Sequence, residues 1–264
     1  MEEVAKFYND NPLKEFNRLD IHKVEYSITL NAIEKFGCEK PANIIDIGGG
    51  PGRYAIELTK KGYTVDLIDI SQELLDLAKK ESERQGIKIN TIIYDCATQL
   101  SKVENEQYDM ALVLGPMYHL LKEAERTECI KRALKKVKSS GYIFVSFMNL
   151  YSALRFSARR MPNDLKENKE VYDQLLEEGI FKHPSIFMNF YAMHPKYIRG
   201  YMEQFGLKSI SIISCEGLLG GMDDSINQVD QSVYEEWEKV NKKYCEDEYL
   251  LASSDHLLYI GKKQ

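Results

Sequence analysis

Residues 43–52 read Asn-Ile-Ile-Asp-Ile-Gly-Gly-Gly-Pro-Gly, and no other stretch limits the fold of this chain so tightly. The run Ile44-Ile45-Asp46-Ile47 is short and rich in β-branched residues, which suits a buried parallel strand. Four glycines within five positions follow at once. A helical pattern then opens with Tyr54, Ala55 and Leu58 and stops near Gly62. Glycine lets a ligand approach the backbone closely. The helix start beyond it offers unpaired N–H groups and the positive end of the helix dipole. A ligand with anionic or hydrogen-bond-accepting groups is expected in the turn.

Three kinds of turn compete. Gly50-Pro51-Gly52-Arg53-Tyr54-Ala55 fits the dinucleotide pattern Gly-x-Gly-x-x-Gly/Ala. A P-loop is excluded, because Gly52-Arg53-Tyr54 stands where Gly-Lys-Ser/Thr is needed. The third pattern, acidic-x-Gly-x-Gly-x-Gly, is complete in Asp46-Ile47-Gly48-Gly49-Gly50-Pro51-Gly52. On these residues the sequence resembles the class I S-adenosylmethionine-dependent methyltransferases. Asp46 favours that reading over a dinucleotide: a carboxylate beside the turn suits the ammonium group of S-adenosylmethionine and repels a diphosphate.

The resemblance continues through residue 120. Tyr63–Asp69 reads as a second strand, followed by Ile70 and Ser71. In the family an acid at this strand end accepts hydrogen bonds from both ribose hydroxyls, which implies that role for Asp69, with Ile70 beside it. Dinucleotide enzymes share such an acid, so Asp69 alone does not discriminate. The third strand, Ile89–Tyr94, leads to Asp95 and Cys96. The resemblance implies that Asp95 meets the adenine amino group and that the Cys96 N–H faces a ring nitrogen. The fourth strand, Tyr108–Leu114, runs into Gly115-Pro116-Met117-Tyr118-His119-Leu120, a segment similar to one in a bacterial small-molecule group of the family. The implied cofactor contacts are Asp46, Gly48, Gly50, Gly52, Asp69, Ile70, Asp95, Cys96, Leu114 and His119, joined by Tyr8 and Arg18 at the methionine end. An arginine there can pair with a carboxylate through its planar fork.

Strands and helices alternate regularly over residues 42–148, which argues for a parallel sheet with helices on both faces and right-handed crossovers. The expected fold is α/β and Rossmann-like. Its sheet has seven mostly parallel strands in the order 3-2-1-4-5-7-6, the last antiparallel. Residues 1–41 are expected to form an N-terminal helical cap, with a break at Phe7–Pro12 and a helix over about 21–36 capped by Asp20. The remaining residues, 42–264, form the catalytic domain, with insertions at about 149–193 and 216–254. Tyr151, Phe156, Phe187, Phe190, Tyr191 and Trp237 in these insertions suggest a lid over an apolar or aromatic acceptor, although aromatics at such spacings also serve as plain core. Gly217, Gly220 and Gly221 are candidates for a hinge.

The 264 residues carry a net charge of −6, which opposes a broad phosphate-tracking surface and disfavours nucleic acid as a partner. Arg155, Arg159 and Arg160 form the one local basic patch that stands out, and read as a solvated helix face. Five scattered cysteines and five scattered histidines show no ligand spacing, so no metal is expected. No apolar run approaches the roughly 20 residues that span a bilayer. The N-terminus lacks the basic and apolar regions of a signal peptide, making the cytoplasm the default.

Methyl transfer from a sulfonium is an in-line displacement, so the protein must align donor and acceptor and exclude water. A general base is optional. His119 and Tyr118 are the candidates, and both read equally well as packing residues. A small-molecule acceptor is the leading expectation. RNA or protein methylation is the alternative, followed by a nicotinamide-dependent oxidoreductase or a non-catalytic binder.

Overall fold

The computed structural model describes residues 1–186 and 188–264, so Phe187 lies outside the described residues. Three helices lead the chain: α1 (Glu2–Asp10), α2 (Pro12–Ile21) and α3 (Lys23–Phe36). Alternation then begins with β1 (Asn43–Ile47), α4 (Arg53–Lys60), β2 (Thr64–Asp69), α5 (Gln72–Arg84) and β3 (Thr91–Tyr94). It continues through β4 (Tyr108–Val113), α6 (Pro116–His119), α7 (Glu123–Lys136) and β5 (Val137–Asn149). Helices α8 (Leu150–Arg160), α9 (Asp164–Glu167) and α10 (Lys169–Glu178) and a short hairpin, β6 (Ile180–Phe181) and β7 (Phe190–Met193), follow. The chain ends with α11 (Pro195–Glu203), β8 (Leu207–Ser214), α12 (Asp223–Ile226), α13 (Gln231–Tyr244) and β9 (His256–Lys263).

The main sheet runs β3-β2-β1-β4-β5-β9-β8, parallel through β5 and antiparallel at β9. With β8 and β9 as sixth and seventh core strands, this is the expected order 3-2-1-4-5-7-6. The hairpin is an addition: β7 pairs with the end of β5 through Met148↔Ala192 and Asn149↔Met193. Two apolar clusters cover the sheet. Ile44, Val65, Leu67, Met110, Leu112 and Phe144 face one, while Ile45, Ile47, Ile68, Ala111, Val113 and Val145 face the other. That period-two division is what strands buried on both faces produce.

The helix expected over about 21–36 is α3, Lys23–Phe36, and a separate helix, α2, precedes it. Helix α2 ends at Ile21, His22 breaks the path at φ −94°, ψ 53°, and α3 starts at Lys23. Asp20 lies inside α2 and caps nothing; its carboxylate accepts from Arg53 Nη2 at 2.7 Å. His22 pairs with Asp223 at 3.4 Å. Val24, Ile28, Ala32 and Ile33 of α3 belong to the sheet's own core, so this helix is built into the layer.

Of the three arginines of α8, Arg159 and Arg160 are exposed, as a solvated face requires, while Arg155 is half-buried. Arg155 donates to the carbonyls of Ala252, Ser253 and Ser254 and to Asp255 Oδ1. Arg159 donates to Gly221 O at 2.9 Å, and Arg160 lies 3.8 Å from Asp224. Together they tie the segment after β5 to the segment after β8. Gly217 and Gly220 serve close packing in this second segment: a Cβ at either would lie 2.3 Å from Asn241 Oδ1 or 2.2 Å from Ser253 O. Arg155→Ala is expected to lower the unfolding free energy by about 1–3 kcal/mol, because it removes several charge-assisted bonds. Urea denaturation checks this, and a midpoint equal to that of the unaltered chain would show that the tie adds nothing.

Candidate functional site

The carboxyl ends of β1 to β4 open onto one cleft of about 100 Å³, at the strand ends where ligands bind in sheets of this kind. Asp46, Gly48 and Gly50 line its floor, and Asp69, Ile70 and Asp95 its side. Leu114, Tyr118 and His119 close the far wall, and Tyr8 and Arg18 reach in from α1 and α2. Two expected residues do not line the cleft. Gly52, at φ +73°, lets α4 start close to its neighbours: a Cβ there would lie 3.1 Å from Ala78 and 3.2 Å from Leu67. Cys96 has its N–H turned onto Asp95 Oδ1 at 2.7 Å, so that donor is already used.

Asp46 is the least ordinary group in the cleft. It is fully buried, and neither carboxylate oxygen has a hydrogen-bond partner. Burial, and then the nearby Asp69, push its carboxyl up to about 7. A Cβ on Gly49 would lie 2.4 Å from Asp46 Oδ2, so a side chain there would occupy the carboxylate's place. Asp69 is better provided for, accepting from Gly50 N at 2.9 Å and Ser71 N at 2.8 Å. Burial still raises it to about 6 against the lowering effect of those bonds. Ser71 caps α5 by accepting from Leu74 N, and donates to Asn9 of α1 at 2.7 Å.

Tyr8 OH and His119 Nε2 are 2.8 Å apart, while His119 Nδ1 is buried without a partner. Burial, then the positive charge of Arg18, hold His119 down at about 4, so its ring is neutral at pH 7. Tyr118 donates to Leu114 O at 3.2 Å and acts as a wall. Arg18 is already paired, with Glu15 at 3.0 Å and Glu25 at 2.8 Å. Behind it, His256 Nδ1 lies 2.8 Å from Glu216, whose other oxygen accepts from Ser254 Oγ and from the N–H groups of Asp255 and His256. Burial works against charge on His256, but Glu25 and Glu216 raise it to about 9. The Glu25, Glu216 and His256 ligand atoms lie within 4.8 Å of one another, and these partners already engage them. The network fastens α2 to α3 and β9.

Residues the sequence did not single out complete the site: Glu15, Leu19, Arg53 and Tyr54 also line the cleft. The spacing of Glu15 to Arg18 was the available signal for the first. Arg53 donates to Phe16 O and Asp20, both at 2.7 Å, and so binds α2 to the start of α4. Among the described residues, none of the aromatics expected as a lid lines the cleft. Tyr151 bonds His194, Tyr191 lies under Arg126, Phe190 packs in a separate cluster, and Phe156 and Trp237 are exposed. Helices α1 and α2 form the roof instead.

The arrangement is a Rossmann-like fold with a buried carboxyl that has no partner at the glycine turn. Residues 44–141 match the model of a methyltransferase-domain family, the kind of protein that the sequence resembles. It is similar to a ubiquinone biosynthesis O-methyltransferase of Hydrogenovibrio crunogenus, with 25% identity over 161 residues, 60% of this chain and 65% of that protein. The chain thus spans less than two thirds of that relative's own length. A SAM-dependent methyltransferase of Thermotoga maritima shares the fold at a TM-score of 0.64 and 16% identity, covering 98% of this chain and 99% of that one. So does the Burkholderia thailandensis 1,6-didemethyltoxoflavin-N1-methyltransferase, solved with its namesake ligand and S-adenosylhomocysteine, at a TM-score of 0.62 and 10% identity over 100% of this chain and 88% of that one. Among the described residues, no helix is long and apolar enough to cross a membrane.

The state of Asp46 has a consequence for stability. Its folded value of about 7 exceeds the ordinary 3.8. The folded chain therefore keeps a proton that the unfolded chain releases between those values. Stability present at pH 4 is lost as pH rises through 7. Asp46→Asn is expected to raise the melting temperature of the ligand-free protein at pH 8 and to change it little at pH 4. Calorimetry at the two pH values checks this, and an equal or lower melting temperature at pH 8 would contradict the unpaired-carboxylate description.

Proposed function

We propose that the protein methylates a small, largely apolar or aromatic molecule, with S-adenosylmethionine as donor. The observation that carries this reading is the buried Asp46 carboxylate without a partner. An unpaired buried charge is costly, and the amino group of this cofactor supplies the missing cation. When bound, the cofactor supplies an activated methyl group on a sulfonium. The chain's own residues hold and shield it. Asp69 has lone pairs left for the two ribose hydroxyls, Asp95 faces the adenine end with Ile70 and Leu114 as apolar walls, and Tyr8 and Arg18 enclose the methionine end. Residues 1–41 act as the cap that excludes water.

Neutral His119 adds no positive charge beside a cationic donor. In the tautomer whose Nε2–H donates to Tyr8, its unpartnered Nδ1 can accept a hydrogen bond from the acceptor. Room for a small acceptor is offered by a second cavity of about 600 Å³ beside α1, which shares Met1, Val4 and His119 with the cleft and is lined by Phe7, Leu121 and Met188 together with charged residues such as Lys6, Asp10 and Glu125. The net charge of −6 points the same way.

Calorimetric titration tests the donor. S-adenosylhomocysteine is expected to bind and NAD is not; binding of NAD alone would overturn the reading. Asp69→Ala is expected to weaken S-adenosylhomocysteine by about 1–3 kcal/mol, and unchanged affinity would remove Asp69 from the ribose site. Salt-sensitive retention of tRNA by the protein would move the acceptor from small molecules to nucleic acid.

A further inference from the structure

Helix α13 has two apolar faces, and the fold uses one. Tyr234, Asn241 and, just past the helix, Cys245 are buried against the domain. Val233, Trp237, Val240 and Tyr244 form a second stripe and are 44%, 47%, 42% and 41% exposed. Their 4-3-4 spacing is that of a two-stranded helical seam. At about 100° per residue, the stripe lies roughly a quarter turn from the buried face. Burial within this chain does not explain it.

We propose that this stripe docks on the same stripe of a second copy of the chain, antiparallel and about a two-fold axis. A two-fold interface requires a patch that complements itself. Read against its own reverse, the stripe sets Val233 against Tyr244 and Trp237 against Val240, so each layer joins a valine to an aromatic ring. Glu236 and Lys243 border the stripe on its solvent side and are exposed. The antiparallel arrangement brings Glu236 of one copy beside Lys243 of the other, offset by two residues, or about 3 Å along the helix. In a parallel arrangement this flank would instead face the opposite flank of the partner helix, which carries Tyr234 and Asn241, already buried in their own domain. Charge pairing and the buried flank therefore both select the antiparallel direction.

A single helix pair covers less than a permanent dimer needs. Val229, 38% exposed, precedes the helix, and Asn227 Nδ2 donates to Ile21 O at 2.7 Å, which places the 57% exposed Ile21 close by. The interface is thus a modest one, formed as concentration rises.

Trp237 is the chain's only tryptophan and reports on the seam directly. Sedimentation equilibrium of the full chain is expected to move from one chain toward two with concentration, while the tryptophan emission shifts to shorter wavelength. V240E and K243E should each stay monomeric with unshifted emission and with circular dichroism unchanged. E236K combined with K243E should recover the dimer that K243E loses. A wild-type chain that stays monomeric at every concentration overturns the proposal. So does a dimer that V240E and K243E leave intact, because another face then makes it. A monomer that sediments with vesicles of mixed anionic and neutral lipid also overturns it, assigning the stripe to a membrane surface.

Discussion

A carboxylate held out of water with nothing to bond is the constraint around which this molecule is arranged. Asp46 sits at the end of β1, its side chain fills the space that a Cβ on Gly49 would take, and Asp69 adds like charge nearby. Such a group is destabilising in the free protein and becomes favourable when a cation arrives. The glycine turn, the strand order and the cleft all serve to leave that oxygen pair facing a ligand. Binding and stability are therefore set against each other at one residue, as is common where a site must be ready before its ligand comes.

The roof of the cleft is tied down by charge. Arg18 joins α2 to Glu25 of α3, and Glu25 faces His256 of β9, itself bonded to Glu216. Arg53 joins α2 to the first helix of the sheet layer. Asn9 and Tyr8 fasten α1 to Ser71 and His119. These bonds come from residues at the rims of the strands that also form the cleft. Opening the roof and reshaping the site are consequently one event. The buried, mutually paired charges of this network are costly to break singly, which makes the α2 side the firm edge of the roof.

The strand order could be read from the alternation of apolar runs and helical patterns because both faces of the sheet are buried, and burial writes a strong pattern into Ile44–Ile47, Val65–Ile68 and Met110–Val113. Asp46, Asp69 and Asp95 fall at the strand ends that the same pattern marks, and all three line the cleft; the roles expected of them came from the family resemblance. What sequence did not disclose depends on partners far along the chain. Asp20 resembles a helix cap until Arg53 is seen to claim it. Arg155 of α8 looks solvated until the carbonyls after β8 come within reach. The aromatics of the insertions pack among themselves or lie exposed, and α1 and α2 cover the cleft, because no local pattern tells a lid from a satellite core. Cys96 was placed by analogy, and a bond to the side chain of its own neighbour took the donor that analogy required.

The most direct test of the central claim observes the Asp46 carboxyl itself. Carbon-13 resonance of labelled aspartate, assigned through Asp46→Asn, would be followed against pH in the free protein and with S-adenosylhomocysteine bound. The account predicts a carboxyl that titrates near 7 when free and stays ionised well below that value when the ligand's ammonium group is beside it. An Asp46 that titrates identically in both states would contradict the account.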